Sequence, residues 1–323
     1  MGKTRILVSY SIALVTAISL PSTAAMASIN ALEQNVIENS IRDLRALALA
    51  TEEKFLAMSS LMTLTSKLPQ LSGASHVSEM IPELHGVPEN VEVEKRLVAK
   101  HILSQNADIE AVAFILPDGE MYVEEPFNRQ MNLTRTNFAF RDYFQGALTN
   151  NGAAYLGEVY ISASSGASTS ATAVPVLSQD GKLEGVWIGL LHLQNLDGFA
   201  KEMFEGDDNR RFVYADQHGH EVVYSNELVL SLEESDRPLS DMDMYKRTVA
   251  GESGWAVESI GSTEMFVAYH PVRALSATWA VFSMQPNDLL MKPVEDLRMA
   301  FYSMIAIASG IGVALGIIIA KKS

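Results

Sequence analysis

The sequence predicts an α+β protein in which one long N-terminal helix carries two tandem antiparallel-sheet modules. Three observations predict it. Residues 30–68 repeat apolar side chains at three- and four-residue steps, with no Gly or Pro before Pro69. From residue 109 the apolar period changes to two, and a strand–turn–strand pattern starts twice. Two uncharged apolar runs, 6–29 and 299–320, bracket everything else.

The composition narrows the function. The 323 residues carry a formal net charge of -15, which makes nucleic acid a poor partner. There is no cysteine, so disulfides and thiolate metal sites are excluded. No Asp or Glu occurs in 1–29 or 297–323, while Lys3, Arg5, Lys321 and Lys322 flank the two apolar runs. An acidic middle between basic tips predicts a chain in the lipid bilayer of the cell membrane, with its ectodomain outside the cytoplasm and its C-terminus inside.

Each end is long enough to span, since a bilayer needs roughly 20 apolar residues. Segment 1–29 has two readings. It is a retained anchor, or a signal peptide with Lys3 and Arg5 as its basic start and Ala25 and Ala27 at a cleavage site. The run Met299 to Ala320 is stopped by Lys321 and Lys322. Within it, Gly312 and Gly316 stand four apart, a spacing that lets another helix backbone approach in lipid. Glycine is also simply frequent in membrane helices. Only three residues follow this run, so the output is expected to come from a separate cytoplasmic transducer protein.

The helix over 30–68 presents Leu32, Val36, Ile37, Ile41, Leu44, Leu47, Ala48, Phe55 and Met58 as one stripe. That stripe suits packing against the chain's own domain or pairing in a homodimer. Residues 69–108 are loop and helix, punctuated by Pro69, Pro82 and Pro88. A hairpin follows over Ile109–Leu116 and Glu120–Val123, turned at Asp118-Gly119. Strands are predicted at Tyr155–Ser162, Ser168–Leu177 and Leu183–Leu193, then a helix from Asn195 to Met203. The second module begins with a hairpin over Phe212–Ala215 and Glu221–Tyr224. A short helix over Met242–Ala250 follows, then strands at Gly254–Ser259, Glu264–Val272 and Thr278–Met284, and a helix over 286–298 running into the second span.

The motifs within these elements resemble a known family. The first module shows Phe-Ile-Leu-Pro-Asp-Gly (114–119), Phe-Arg-Asp-Tyr-Phe (140–144) and Pro-Val-Leu-Ser-Gln-Asp-Gly-Lys-Leu-Glu-Gly-Val (175–186). The second shows Phe-Val-Tyr-Ala-Asp-Gln-His-Gly (212–219), Ala-Gly-Glu-Ser-Gly (250–254) and Ala-Tyr-His-Pro-Val (268–272). In this order between two spans they resemble a double Cache sensor, two PAS-like modules on one helix, of the chemoreceptor and sensor histidine kinase type. The resemblance covers about residues 30–296. It implies a stalk at 30–68, a membrane-distal module at 69–205, a membrane-proximal module at 206–296 and a transmembrane helix at 297–323.

The resemblance also implies a small organic ligand in the membrane-distal module, with Arg141, Tyr143 and Tyr160 in the positions of the amino-acid-binding motif. The chain departs from that motif at two points. Ser162 and Leu190 stand where carboxylates would hold a ligand's ammonium group. An organic carboxylate, held by Arg141 alone, fits the surviving half better, and a neutral polar ligand is the other option. Read from chemistry alone, Arg141 either holds a carboxylate with its planar fork or pairs with an acid of its own chain. Tyr143 and Tyr160 suit either pocket or core. His192 shares a strand face with Leu190 by period two, so it lines the pocket or is a satisfied core histidine. His218 and His220 flank a turn glycine and are two ligands short of a typical metal set. No P-loop, dinucleotide fingerprint, nucleophile elbow or HExxH stretch occurs, so neither an enzyme nor a cofactor is expected.

Overall fold

The computed structural model describes residues 2–204, 209–223 and 239–322. Helix α1 runs without a break from Gly2 to Thr65, through both the predicted anchor and the stalk. At 1.5 Å per residue it is roughly 95 Å long. Its buried side chains include Leu44, Leu47, Ala48, Thr51, Phe55, Met58 and Met62, one face of a 3.6-residue helix. Leu49, Leu56 and Leu64 lie on the opposite face and are exposed.

Behind α1 stand two five-stranded antiparallel sheets. The first sheet comprises β1 (Ile109–Ile115), β2 (Met121–Glu125), β3 (Tyr155–Leu156), β6 (Ala171–Leu177) and β7 (Leu183–Leu191), in the order β2-β1-β7-β6-β3. Helix α2 (Val93–Gln105) packs on its β1 and β2. Short strands β4 (Tyr160–Ile161) and β5 (Ser168–Thr169) pair beside it. Helices α3 (Phe127–Met131), α4 (Asp142–Thr149) and α5 (Gln194–Met203) complete the module. The second sheet comprises β8 (Arg211–Ala215), β9 (Glu221–Val223), β10 (Gly254–Ile260), β11 (Thr263–Ala274) and β12 (Ala277–Pro286), in the order β10-β11-β12-β8-β9. Helix α6 (Asp243–Val249) covers its outer face. Read from the hairpin outwards, the two sheets have the same strand order. The repeated element order in the sequence is thus a repeated topology. Tyr224, predicted to end the second hairpin, lies outside the described residues, as does the boundary drawn at 205/206.

Both sheets turn one face to α1. Phe114, Trp187, Phe266 and Trp279 join Leu47, Phe55 and Met62 in one continuous core. The period of two puts Trp187 and Leu191 on the α1 side, where Trp187 Nε1 donates to Thr65 Oγ1 at 3.0 Å. Ile188 and Leu190 face the other way, into a second cluster under α4. Gly146 of α4 sits against the ring of Tyr155, where an added Cβ would fall 2.4 Å from ring carbons. Gly146→Ala is therefore expected to cost about 1–3 kcal/mol through overpacking, read as a lower melting temperature.

The predicted strand Tyr155–Ser162 is interrupted. Gly157, Glu158 and Val159 are drawn out of line by three acceptors. Gly157 N donates to Ala171 O (2.9 Å), Glu158 N to Asp142 Oδ2 (2.7 Å) and Val159 N to Asp216 Oδ2 (2.8 Å). The strand predicted over Ser168–Leu177 breaks at Ser170, whose hydroxyl donates to Gly157 O at 2.7 Å.

Helix α7 (Asn287–Lys322) continues directly from β12 into the apolar run. Among the described residues it is the one helix long and apolar enough to cross a membrane, with mean hydropathy 2.0 over its most apolar 18 residues. It packs antiparallel on α1, burying Ile29, Val294 and Phe301 together, and Arg298 reaches Glu33 at 3.4 Å. Gly312 is buried and Gly316 half-buried on this helix.

Candidate ligand-binding site

The face of the first sheet turned away from α1 carries a small, partly open cavity of about 20 Å³. Met121 and Glu124 of β2, Leu133 and Phe138 of the following loop, Tyr143 of α4, Tyr160 of β4, Ser162 to Ser164, and Ile188 and Leu190 of β7 line it. A water molecule needs roughly 10–15 Å³ by this measure, so the cavity is about the size of one water.

The structure brings Tyr143, Tyr160 and Ser162 together here. The two rings lie 5.5 Å apart at 34°. Burial pushes both phenols up, with Arg141 partly opposing the effect on each, so both stay neutral hydroxyls at any ordinary pH. Arg141 caps α4 and stacks its guanidinium on Tyr160, 4.1 Å from the ring centroid, with Phe140 at 5.1 Å on its other side. Its Nη2 donates to Ile161 O at 3.3 Å, and its Nε is buried with no partner. Arg141 makes no ion pair with Asp142 or any other acid among the described residues. Asp142 instead holds Glu158 N.

Ser162 occupies the place of a motif carboxylate, and its hydroxyl lies 3.2 Å from Arg129 Nη2. Arg129 of α3 is the hub of the cavity's polar end. Its Nε donates to Glu124 Oε1 at 3.3 Å and to Ser164 Oγ at 3.1 Å, and its Nη2 reaches Glu110 Oε1 at 3.2 Å. Ser164 Oγ also donates to Glu124 Oε1 at 3.0 Å. Glu124 is 1% exposed, and burial raises its carboxyl above the usual range against the opposing pull of Arg129. Sequence reasoning missed both Glu124 and Arg129. The available signal was Glu124-Glu125 ending a strand with no exposed position, where acids need partners.

His192 lies elsewhere. Strand β7 ends at Leu191, the chain turns, and His192 comes to rest beside Lys54, Phe55 and Asp108 on the α1 side of the sheet. His218 and His220 sit in the β8–β9 turn. His220 Nδ1 is 2.9 Å from Asp216 Oδ2, and His218 Nε2 is 3.7 Å from Glu158.

The first of the two sheet modules holds a small pocket, and the helix that carries both modules meets a candidate membrane helix. The chain belongs to the Cache domain family, whose model matches residues 28–294. It is a sensor domain. A search of curated proteins found no match. Solved structures share the fold. The ligand-binding domain of the Pseudomonas fluorescens chemoreceptor CtaA, in complex with L-isoleucine, is 15% identical with a TM-score of 0.55, covering 81% of this chain and 97% of that one. The ligand-binding domain of the Pseudomonas aeruginosa amino acid chemoreceptor PctB, in complex with L-Arg, is 16% identical with a TM-score of 0.52, covering 80% and 95%. The periplasmic sensory domain of the Campylobacter jejuni chemoreceptor Tlp1 is 13% identical with a TM-score of 0.57, covering 81% and 98%.

Proposed function

We propose that this protein is a receptor ectodomain that binds a small organic ligand bearing a carboxylate in the first-module cavity. The observation that carries this reading is Arg141. Its guanidinium stacks on Tyr160, which lines the cavity, no acid among the described residues pairs with it, and its Nε is buried without a partner. A planar fork in that state is suited to a carboxylate.

The route outward starts beside the cavity. Tyr160 follows Val159, whose N–H is held by Asp216 of the second module, and β12 of that module continues into α7. The signal passes along α7 to a separate transducer. Lys321 and Lys322 set the C-terminus in the cytoplasm. The receptor is a homodimer paired along α1, because Leu49, Leu56 and Leu64 form an unpacked stripe at seven- and eight-residue spacing. That stripe also favours a second reading, a partner-binding ectodomain without a ligand.

A thermal-shift screen of small carboxylates tests the choice. A ligand at 100 times its Kd stabilises by about 2.7 kcal/mol. Arg141→Ala is expected to weaken every stabilising carboxylate by about tenfold or more, since a charged hydrogen bond contributes about 1.5–3 kcal/mol. An undiminished response in Arg141→Ala removes the pocket assignment. A silent screen together with a tight dimer or protein complex favours the second reading.

A further inference from the structure

We propose that the first module carries a second small-molecule site, separate from the cavity beside Tyr160, which takes an uncharged apolar ring bearing one N–H or O–H donor. The ring rests on Met80, Ile81 and Pro82, and its donor meets the imidazole of His85.

The site is a partly open cavity of about 200 Å³, against about 20 Å³ beside Tyr160. One wall comes from the segment 80–86, the other from Glu120 and Thr136, at edge strand β2 of the first sheet. Hydrogen bonds pin both walls, so the space is preformed. On one side Ile81 N donates to Gly86 O (2.9 Å), His85 N to Pro82 O (3.1 Å) and Gln130 Nε2 to Leu84 O (2.8 Å). Gly86 is pressed against the strand, since a Cβ there would fall 2.6 Å from Tyr122 O. On the other side Met121 N donates to Thr136 O (2.8 Å), and Asn137 Nδ2 to Glu120 Oε1 (3.0 Å). Met121 lines the smaller cavity and Thr136 the larger one, so this pair is part of the partition between them.

His85 is the residue that points to a ligand. Its backbone lies in the left-handed region, at φ 52° and ψ 36°, a conformation that side-chain-bearing residues seldom hold without a functional reason. Its ring makes no hydrogen bond to any described residue, and Nδ1 is buried without a partner. A turn of the ring about χ2 therefore breaks no hydrogen bond, and a neutral imidazole always keeps one nitrogen as an acceptor. An entering N–H or O–H supplies the bond that the protein leaves unmade.

The charge of the walls selects the rest of the molecule. Neither Lys nor Arg lines the cavity, whereas Glu120 does, and its own N–H is held by Asp118 Oδ1 at 3.1 Å. Anions are repelled, so a carboxylate ligand has no place here. Glu120 is half-exposed, where an ion pair contributes little, so a cation gains no advantage over a neutral donor. Met80, Ile81 and Pro82 offer apolar surface, with Ile81 38% exposed, and a flat apolar ring removes it from water.

The test uses the detergent-solubilised full chain and two probes of equal size, 3-methylindole, which keeps the ring N–H, and 1-methylindole, which lacks it. Comparisons are made between variants in the same detergent, so uptake of probe by micelles cancels. 3-Methylindole is expected to raise the melting temperature and to slow hydrogen exchange over 80–87 and 134–138. 1-Methylindole is expected to bind about three- to tenfold more weakly, the size of one neutral hydrogen bond. His85→Gly suits the left-handed backbone, so it is expected to fold as well as the wild type and to bind the two probes equally. His85→Asn, which tolerates the same backbone and keeps an acceptor, is expected to retain part of the preference for 3-methylindole. Ile81→Trp, which fills the cavity, is expected to abolish binding of both, and Arg141→Ala to change neither. Absence of binding, equal binding of the two probes by the wild type, or a preference that persists in His85→Gly overturns the inference. So does binding that Arg141→Ala removes, which would place the probes beside Tyr160 and leave the reading of that cavity standing.

Discussion

Asp216→Ala is expected to lower the melting temperature of the full chain by roughly 6–12 °C, the equivalent of about 3 kcal/mol for a domain of this size. Asp216 is completely buried in the β8–β9 turn. Its Oδ1 accepts from His218 N and His220 N, and its Oδ2 accepts from Val159 N at 2.8 Å. Oδ2 also lies 2.9 Å from His220 Nδ1. The turn contacts belong to the second module, whereas Val159 belongs to the first and adjoins Tyr160. One carboxylate thus ties the cavity wall to the neighbouring sheet. Asp216→Asn separates the two roles. An Asn oxygen still serves the turn, while its amide nitrogen faces the N–H of Val159, donor against donor. This variant is expected to keep most of the stability but to weaken the transfer of ligand binding to the second module. Hydrogen exchange at α7 with and without a stabilising ligand reads that transfer. A ligand-dependent change at α7 that is the same in Asp216→Asn and wild type would rule this connection out.

The second large effect lies at Arg96. Arg96→Ala is expected to cost about 3–5 kcal/mol, because it strands a buried carboxylate. Arg96 is 2% exposed and Glu125 is 1% exposed. Their ion pair is 2.7 Å long, and the guanidinium also donates to Val87 O at 2.8 Å, Val91 O at 3.1 Å and Gln130 Oε1 at 3.1 Å. These bonds fasten α2 to β2 and α3, the elements that hold Glu124 and Arg129. Arg96→Met combined with Glu125→Leu is expected to recover most of the loss, since the double change removes both buried charges. Denaturant unfolding of the single and double variants gives the coupling. A double variant no more stable than Arg96→Ala would show that the hydrogen bonds to the backbone carbonyls, not the charge pair, carry the effect.

The sequence by itself determined most of the scaffold. Periodicity marks α1 from its apolar stripe, the Asp118-Gly119 and Asp180-Gly181 turns mark the hairpins, and repeated element order marks two modules. All of these are local or single-element signals, in which the hydrophobic face is written into residue spacing. Tyr143, Tyr160 and Ser162 were legible through motif resemblance, and the structure gathers them at one cavity. Tertiary structure alone decided the rest. The strand over Tyr155–Ser162 breaks because acceptors from Asp142 and Asp216 outcompete ladder pairing, and Asp216 is 57 residues from its partner Val159. His192 leaves the cavity because the chain turns after Leu191, whereas period-two reasoning assumes a straight strand. Arg141 pairs with no acid among the described residues, and the neighbouring Asp142 turns its Oδ2 to Glu158 N. Glu124 belongs to the cavity because β2 is an edge strand whose end meets α3 and the loop after β4. The charge balance of a pocket is a sum over elements distant in sequence, and only their packing adds it up.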